Sequence, residues 1–261
     1  MKPLDPGDLE RLPGLRLAEG ERFRFRCHPE VGCFNRCCRN LNLFLYPYDV
    51  IRLRARLEIS SDEFLERYTD AVLRPGRYFP DVLLRMADTA EKTCPFLSPE
   101  GCRVYPDRPD TCRTFPLEQG LLHDAACGED TPVFFYRPPD FCLGRHAEKE
   151  WGVAEWVADQ EAATYHRMTI RWAEVQRLCA DDPWGAEGPA GQRARMAFMA
   201  AYNCDRFREF VFGSSFLKRF KVKPELLARI RTDDSALMLF GFDWIKLFLW
   251  GMPSRRIRPR R

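Results

Sequence analysis

Apolar residues follow two different rules along this chain. Up to about residue 145 they come in short runs cut by proline and cysteine, and beyond it they recur at helical spacing. The first legible element is ERFRFR, residues 21–26, where polar and aromatic residues alternate as in a short strand leading into Cys27. YDVIRLRARLE predicts a helix starting near Asp49, with Ile51, Leu53 and Leu57 on its apolar side. Ser60-Ser61-Asp62-Glu63 has the form of a capping box and predicts a second helix continuing through FLERYTDAVL. VLLRMAD, residues 82–88, reads as a strand or a short helix. In residues 93–145, eight prolines from Pro95 to Pro139 forbid a long helix, so coil and short strand are expected.

The later pattern is simpler. Residues 151–178 predict one long amphipathic helix, residues 181–191 (DDPWGAEGPAG) a linker, and residues 192–212 a further helix. Pro224 suits the first turn of PELLARIR, and Asp233-Asp234 can cap a last helix over residues 235–250. The implied fold class is α+β, mainly helical, with an irregular metal-stapled cysteine-rich half packed against a C-terminal helical half. Residues 21–147 form the cysteine-cluster domain. Residues 148–254 form the helical region, either separate or continuous with it.

Length and composition exclude little. A chain of 261 residues with twenty phenylalanines and six tryptophans can build a core without covalent staples. The opening residues contain no continuous apolar run, and Asp243 and Lys246 interrupt the most apolar stretch, residues 236–252. A transmembrane segment is therefore not expected, and a reducing, cytoplasmic setting is. There, clustered cysteines read as metal or redox sites rather than disulfides. The formal charge of +3 carries no specific nucleic-acid signal. The tail SRRIRPRR, with five arginines, reads as a solvated, disordered terminus, with contact to a polyanion or an acidic partner as the alternative. Aromatic residues Phe240, Phe242, Trp244, Phe248 and Trp250 of the last helix are core or, as the alternative, the surface for a protein partner.

The chemistry lies in the cysteines. Cys27, Cys33, Cys37 and Cys38 form one burst, and Cys94, Cys102 and Cys112 a second, with 55 residues between them. Cys142, in PDFCLGRH, is an eighth candidate; Cys127 is a weaker one, and Cys179 and Cys204 fall in helical patterns as core residues. Soft thiolates in this number select zinc, iron or an iron–sulfur cluster. The spacings C-x5-C-x3-C-C and C-x7-C-x9-C fit neither paired zinc knuckles nor a bacterial ferredoxin run. The ligands must therefore be assembled from distant segments. Arg108 and Arg113 flank Cys112 and can offset thiolate charge or donate to sulfur. Tyr105 and Phe115 are candidates to close the site from water. His28 and His146, beside Cys27 and Cys142, are secondary candidates.

CFNRCC followed by LYPYDVIRL, CPFL and GCRVYPDRPDTCRTFP resembles the YkgJ family of cysteine-cluster proteins. The resemblance runs from Cys27 to Pro116 and extends through PDFCLGRH. It departs where the gap before Cys33 is long and where Arg36 replaces a glycine before the paired cysteines. It implies a domain that chelates zinc or iron. A related domain in the flagellin lysine N-methylase implies an iron–sulfur enzyme as one alternative. The leading expectation is a protein with an iron–sulfur cluster of the 4Fe–4S type and a redox or electron-transfer role. A structural zinc module presenting a helical protein-interaction surface is the other alternative.

Overall fold

The structure, a computed structural model, describes residues 2–4, 15–124 and 129–260. It is α+β with helix predominating: strands and cysteines gather in the N-terminal part, and the C-terminal half is largely helical. Two compact units interleave along the chain. One combines Met1–Leu43 with Met86–Ala173, and the other Phe44–Arg85 with Glu174–Arg261.

The first unit is built on a hairpin of Leu117–Asp124 and Glu129–Tyr136. Lys2–Leu4 runs parallel to its first strand and Leu15–Leu17 antiparallel to its second. These eight-residue strands lie where proline density predicted only coil and short strand. Their period-two pattern is nonetheless present, since Leu117, Leu121, Val133 and Phe135 are all buried. Arg22–Arg24 forms the expected strand and pairs antiparallel with Glu150–Gly152. Its alternation buries Phe23 and leaves Arg22 and Arg24 outside. Phe23 and Phe25 meet Trp156 edge-on, with centroids 6.0 and 5.5 Å apart. With Leu17, Leu117 and Cys142 they make the core beneath the cysteine region.

The long helix over 151–178 is two helices, Val153–Asp159 and Ala163–Leu178. Glu161, between them, has φ of 52°, a left-handed conformation that ends the first helix. Amphipathic spacing survives such a break, so periodicity alone could not locate it.

In the second unit Pro47–Arg56 begins two residues earlier than expected, because Pro47 occupies the first turn and Tyr46 N donates to Asp49 Oδ2 at 2.8 Å. Ser61–Tyr68 is capped as predicted, Ser60 Oγ accepting from Glu63 N at 3.1 Å. The helix stops there. Thr69–Val72 turns into a strand paired with Asp81–Leu84, whose other edge takes Phe44–Leu45. A strand partner overrides the helical continuation of the sequence pattern, and Thr69 and Val72 are β-branched residues that suit a strand.

Residues 192–212 likewise divide, into Gln192–Tyr202 and Cys204–Gly213. Asn203 makes the boundary. Its Oδ1 accepts from Arg206 N at 3.0 Å and its Nδ2 donates to Asp62 Oδ1 at 2.8 Å. Replacing Asn203 by alanine removes the cap and should lower stability by ~1 kcal/mol in urea unfolding.

Asp234–Trp250 is the central helix of this unit, capped by Asp233. Phe240, Phe242 and Trp244 are buried, so these three are core rather than a partner surface. The two charges that interrupt the apolar stretch are paired, Asp243 with Arg256 at 3.1 Å and Lys246 with Glu174 at 2.6 Å. Among the described residues no helix is long and apolar enough to cross a membrane. The tail is ordered where disorder was expected: Ile257–Pro259 pairs antiparallel with Phe220–Val222, and Ile257 is buried. The arginine run hid a single apolar anchor.

Candidate metal centre

All eight candidate cysteines lie in the first unit. Cys27, Cys33, Cys37 and Cys142 line one small cavity of about 10 Å³, walled otherwise by Phe25, Phe115, Phe141 and Gly144. Three separated chain segments therefore bring four thiols to one place. Cys27 follows the Arg22–Arg24 strand, where Phe25 N donates to Lys149 O and Arg26 N to Gly144 O at 3.0 and 3.1 Å. Cys33 sits in a run of tight turns, with Val31 N donating to His28 O and Phe34 N to Val31 O. Cys37 lies in a single 3₁₀ turn, Arg36–Cys38. Cys142 precedes a second such turn, Leu143–His146. Leu143 N donates to Cys33 Sγ at 3.2 Å and ties the two segments together.

Gly144 makes this closure possible. A Cβ there would lie 2.6 Å from Arg26 O and 3.0 Å from the Phe25 ring. The turn carrying Cys142 can approach the backbone beyond Cys27 only without a side chain at this position. Gly144→Val should displace Cys142 and cut the bound metal per chain at least ~5-fold, as a first ligand misplaced by an ångström does. Metal analysis against total protein checks this.

Three of the cavity thiols, Cys27, Cys37 and Cys142, are raised above the usual thiol range. Burial of the sulfur, then the charges of Cys37, Cys33 and Cys142, push Cys27 up to about 11. Cys27 as a residue is exposed, so solvent weakens that effect. A hydrogen bond with the Cys38 thiol, followed by burial, drives Cys37 far above the usual thiol range. Cys142 is raised by burial, against the opposing pull of the Gly144 and Arg145 backbone. A cation that neutralises the sulfurs removes the reason for these upward shifts.

The other four cysteines form a looser group. Cys94 N donates to Cys38 O at 2.8 Å. Burial, with Cys102 and Cys37 adding to it, pushes Cys94 up to about 11. Cys102 ends the small hairpin Leu97–Ser98 and Gly101–Cys102; burial raises its pKa and the Arg108 and Arg103 charges oppose the rise. Arg108 is lowered by burial, while Cys112 and Cys102 pull it the other way. Its guanidinium also donates to Tyr105 O and Gln160 Oε1, each at 2.7 Å. Arg113, only 2% exposed, directs its donors to Pro106 O and Gln160 O at 2.5 and 2.6 Å. Arg108 lies beside the Cys112 and Cys102 thiols, and Arg113 ties the loop to the end of Val153–Asp159.

In the metal-free protein these shifts have a pH consequence. An unfolded thiol titrates near ~8.5. Cys94, at about 11 when folded, holds its proton longer in the native state. Its stabilising contribution is complete below the unfolded value and is lost as pH rises through about 11. Thermal melts of metal-free protein should therefore fall progressively over that window, and metal-loaded protein should show a smaller fall.

Other expected residues stand apart. Phe115 lines the cavity, whereas Tyr105 is exposed and lies over Arg108. His28 faces Glu30 at 3.9 Å and His146 accepts from Arg145 Nε at 3.2 Å, and neither lines the cavity. Cys179 and Cys204 are buried, as expected of core residues. Cys127 lies outside the described residues. Sequence reasoning missed Phe25, Phe141 and Gly144. Gly144 directly follows the Cys142-Leu143 pair, and that adjacency was its one signal. Among the described residues, no three His, Cys, Asp or Glu side chains are drawn close enough to hold a single ion between them.

Four cysteines line one cavity and four more lie in the same unit, which makes this a cysteine-rich domain. Residues 26–142 match the model of the CxxCxxCC family, described as "Putative zinc- or iron-chelating domain", which is the YkgJ-family cysteine-cluster domain. The match takes in all eight candidate cysteines and leaves the helical C-terminal half outside. No solved structure matches the chain.

Proposed function

We propose that this protein is a metal-binding protein whose first unit carries an iron–sulfur cluster on Cys27, Cys33, Cys37 and Cys142. The observation that carries the proposal is the lining of one cavity by four cysteines from three segments. The donor set fits such a group in its chemistry: it is all soft sulfur, with three phenylalanines in the wall of the cavity. A bound cluster would supply one-electron transfer. The chain's own part is to hold the thiols, to cover the buried ones with Phe25, Phe115 and Phe141, and to direct Leu143 N–H at the Cys33 sulfur. Cys38, Cys94, Cys102 and Cys112 lie in the same unit outside this ligand set, with Arg108 beside Cys112 and Cys102.

A structural zinc site on the same four cysteines is the second reading. The small cavity volume favours it, since about 10 Å³ suits one small ion better than a cluster. Anaerobic reconstitution separates the readings. Iron with sulfide should give a brown protein with stable visible absorption that zinc pre-loading blocks. If zinc binds and iron with sulfide leaves no colour, the cluster is excluded and the structural module stands.

A further inference from the structure

The second unit carries a basic ribbon whose charge is not neutralised. Phe220–Val222 pairs antiparallel with Ile257–Pro259, and Lys221 stands directly opposite Arg258. Val222 and Ile257 are buried, 8% and 1% exposed, whereas Lys221 and Arg258 are exposed. The pleat therefore points both cations to solvent on one face. Lys218, Arg219, Lys223 and Arg255 are exposed in the same two segments. Among the described residues none of these six has an ion-pair partner, although Arg256 from the same tail has Asp243. Residues 218–224 and 251–261 contain no aspartate or glutamate.

Like charges directly opposite each other weaken a ribbon. This one is held by its buried face and by Arg260, which donates through N to Arg219 O and through Nε to Phe220 O, at 2.8 and 3.2 Å. A face of this kind is complemented by a polyanion. The Phe220 ring is packed on Phe216, centroids 4.9 Å apart, and is not free to stack unpaired bases. Met252 is an exposed apolar side chain a few residues before the ribbon, far short of the apolar face a membrane anchor needs. A two-stranded ribbon does fit the major groove of B-form DNA, about 12 Å wide. We propose that this ribbon docks duplex DNA through the phosphate backbone, with Lys221 and Arg258 at its centre.

The test is fluorescence anisotropy of a labelled duplex of about 20 base pairs with the full chain, across about 50 to 200 mM salt. Binding is expected, with log K falling against log salt at a slope of about −4 to −5, as some five phosphate contacts require. Lys221→Gln combined with Arg258→Gln should weaken binding ~10-fold or more and flatten the slope by about 2. Its melting temperature should hold. Lys223→Gln combined with Arg255→Gln, which spares the paired positions, should weaken binding in the same direction even if the first variant folds poorly. Absence of binding at the lowest salt, or binding that both double variants leave unchanged, would overturn the proposal. So would tighter association with phosphatidylserine vesicles than with the duplex.

Discussion

Cys142→Ser is expected to reduce bound metal to less than ~10% of the wild-type content, because a hydroxyl is a hard, poorly ionised donor where a soft thiolate is needed. The side chain it replaces is buried, lines the cavity, and closes the site from the far end of the cysteine-rich sequence. Losing the metal also loses the folding free energy linked to it. The unit keeps an apolar core of its own around Phe23, Phe25 and Trp156, so the loss should be partial, ~3–5 kcal/mol, rather than complete unfolding. Two comparisons locate the effect. Cys179→Ser, in the core and outside both thiol groups, should leave metal content unchanged. Cys102→Ser, in the second group, should leave the cavity metal in place. Metal per chain and melting temperature, measured together on the three variants, decide the matter. Equal metal loss in all three would deny the cavity its special role.

The second large effect concerns the helical unit. Gly241→Val should destabilise it by at least ~3 kcal/mol. A Cβ at Gly241 would lie 2.3 Å from Ala200 O and 3.3 Å from the Phe207 ring. The obstacle is helix backbone, which cannot swing aside as a side chain can. Asp234–Trp250 must then move away from Gln192–Tyr202. The small residues Ala197, Ala200 and Ala201, all buried, permit the close approach that would be lost. Denaturant unfolding followed by circular dichroism should show the midpoint falling. An unchanged midpoint would mean that the two helices are not in fact packed backbone to backbone.

How far the chain could be read before folding follows from the range of each signal. Local rules worked where the deciding contact is a few residues away: Ser60 caps Glu63, Asp233 caps Ala236, and Pro224 opens its helix. They failed where a distant partner decides. Nothing near Thr69 announces that Asp81–Leu84 will pair with it, and nothing in SRRIRPRR announces the strand Phe220–Val222. The break at Glu161 and the cap at Asn203 are single-residue events inside patterns whose periodicity continues on both sides. The candidate site was legible as chemistry, since the same cysteine bursts that suggest ligands fall within the match to the family described as "Putative zinc- or iron-chelating domain". Their grouping was not. That Cys142 joins Cys27, Cys33 and Cys37 at one cavity depends on the close approach at Gly144 and on one 3₁₀ turn.

Iron, zinc and acid-labile sulfide per chain in anaerobically purified protein are the most direct measurement of the central claim. The account predicts about four irons and four sulfides per chain, held by the wild type and lost from Cys142→Ser. Protein with neither iron nor zinc above background, or with metal that survives Cys142→Ser undiminished, would contradict a metal centre on Cys27, Cys33, Cys37 and Cys142.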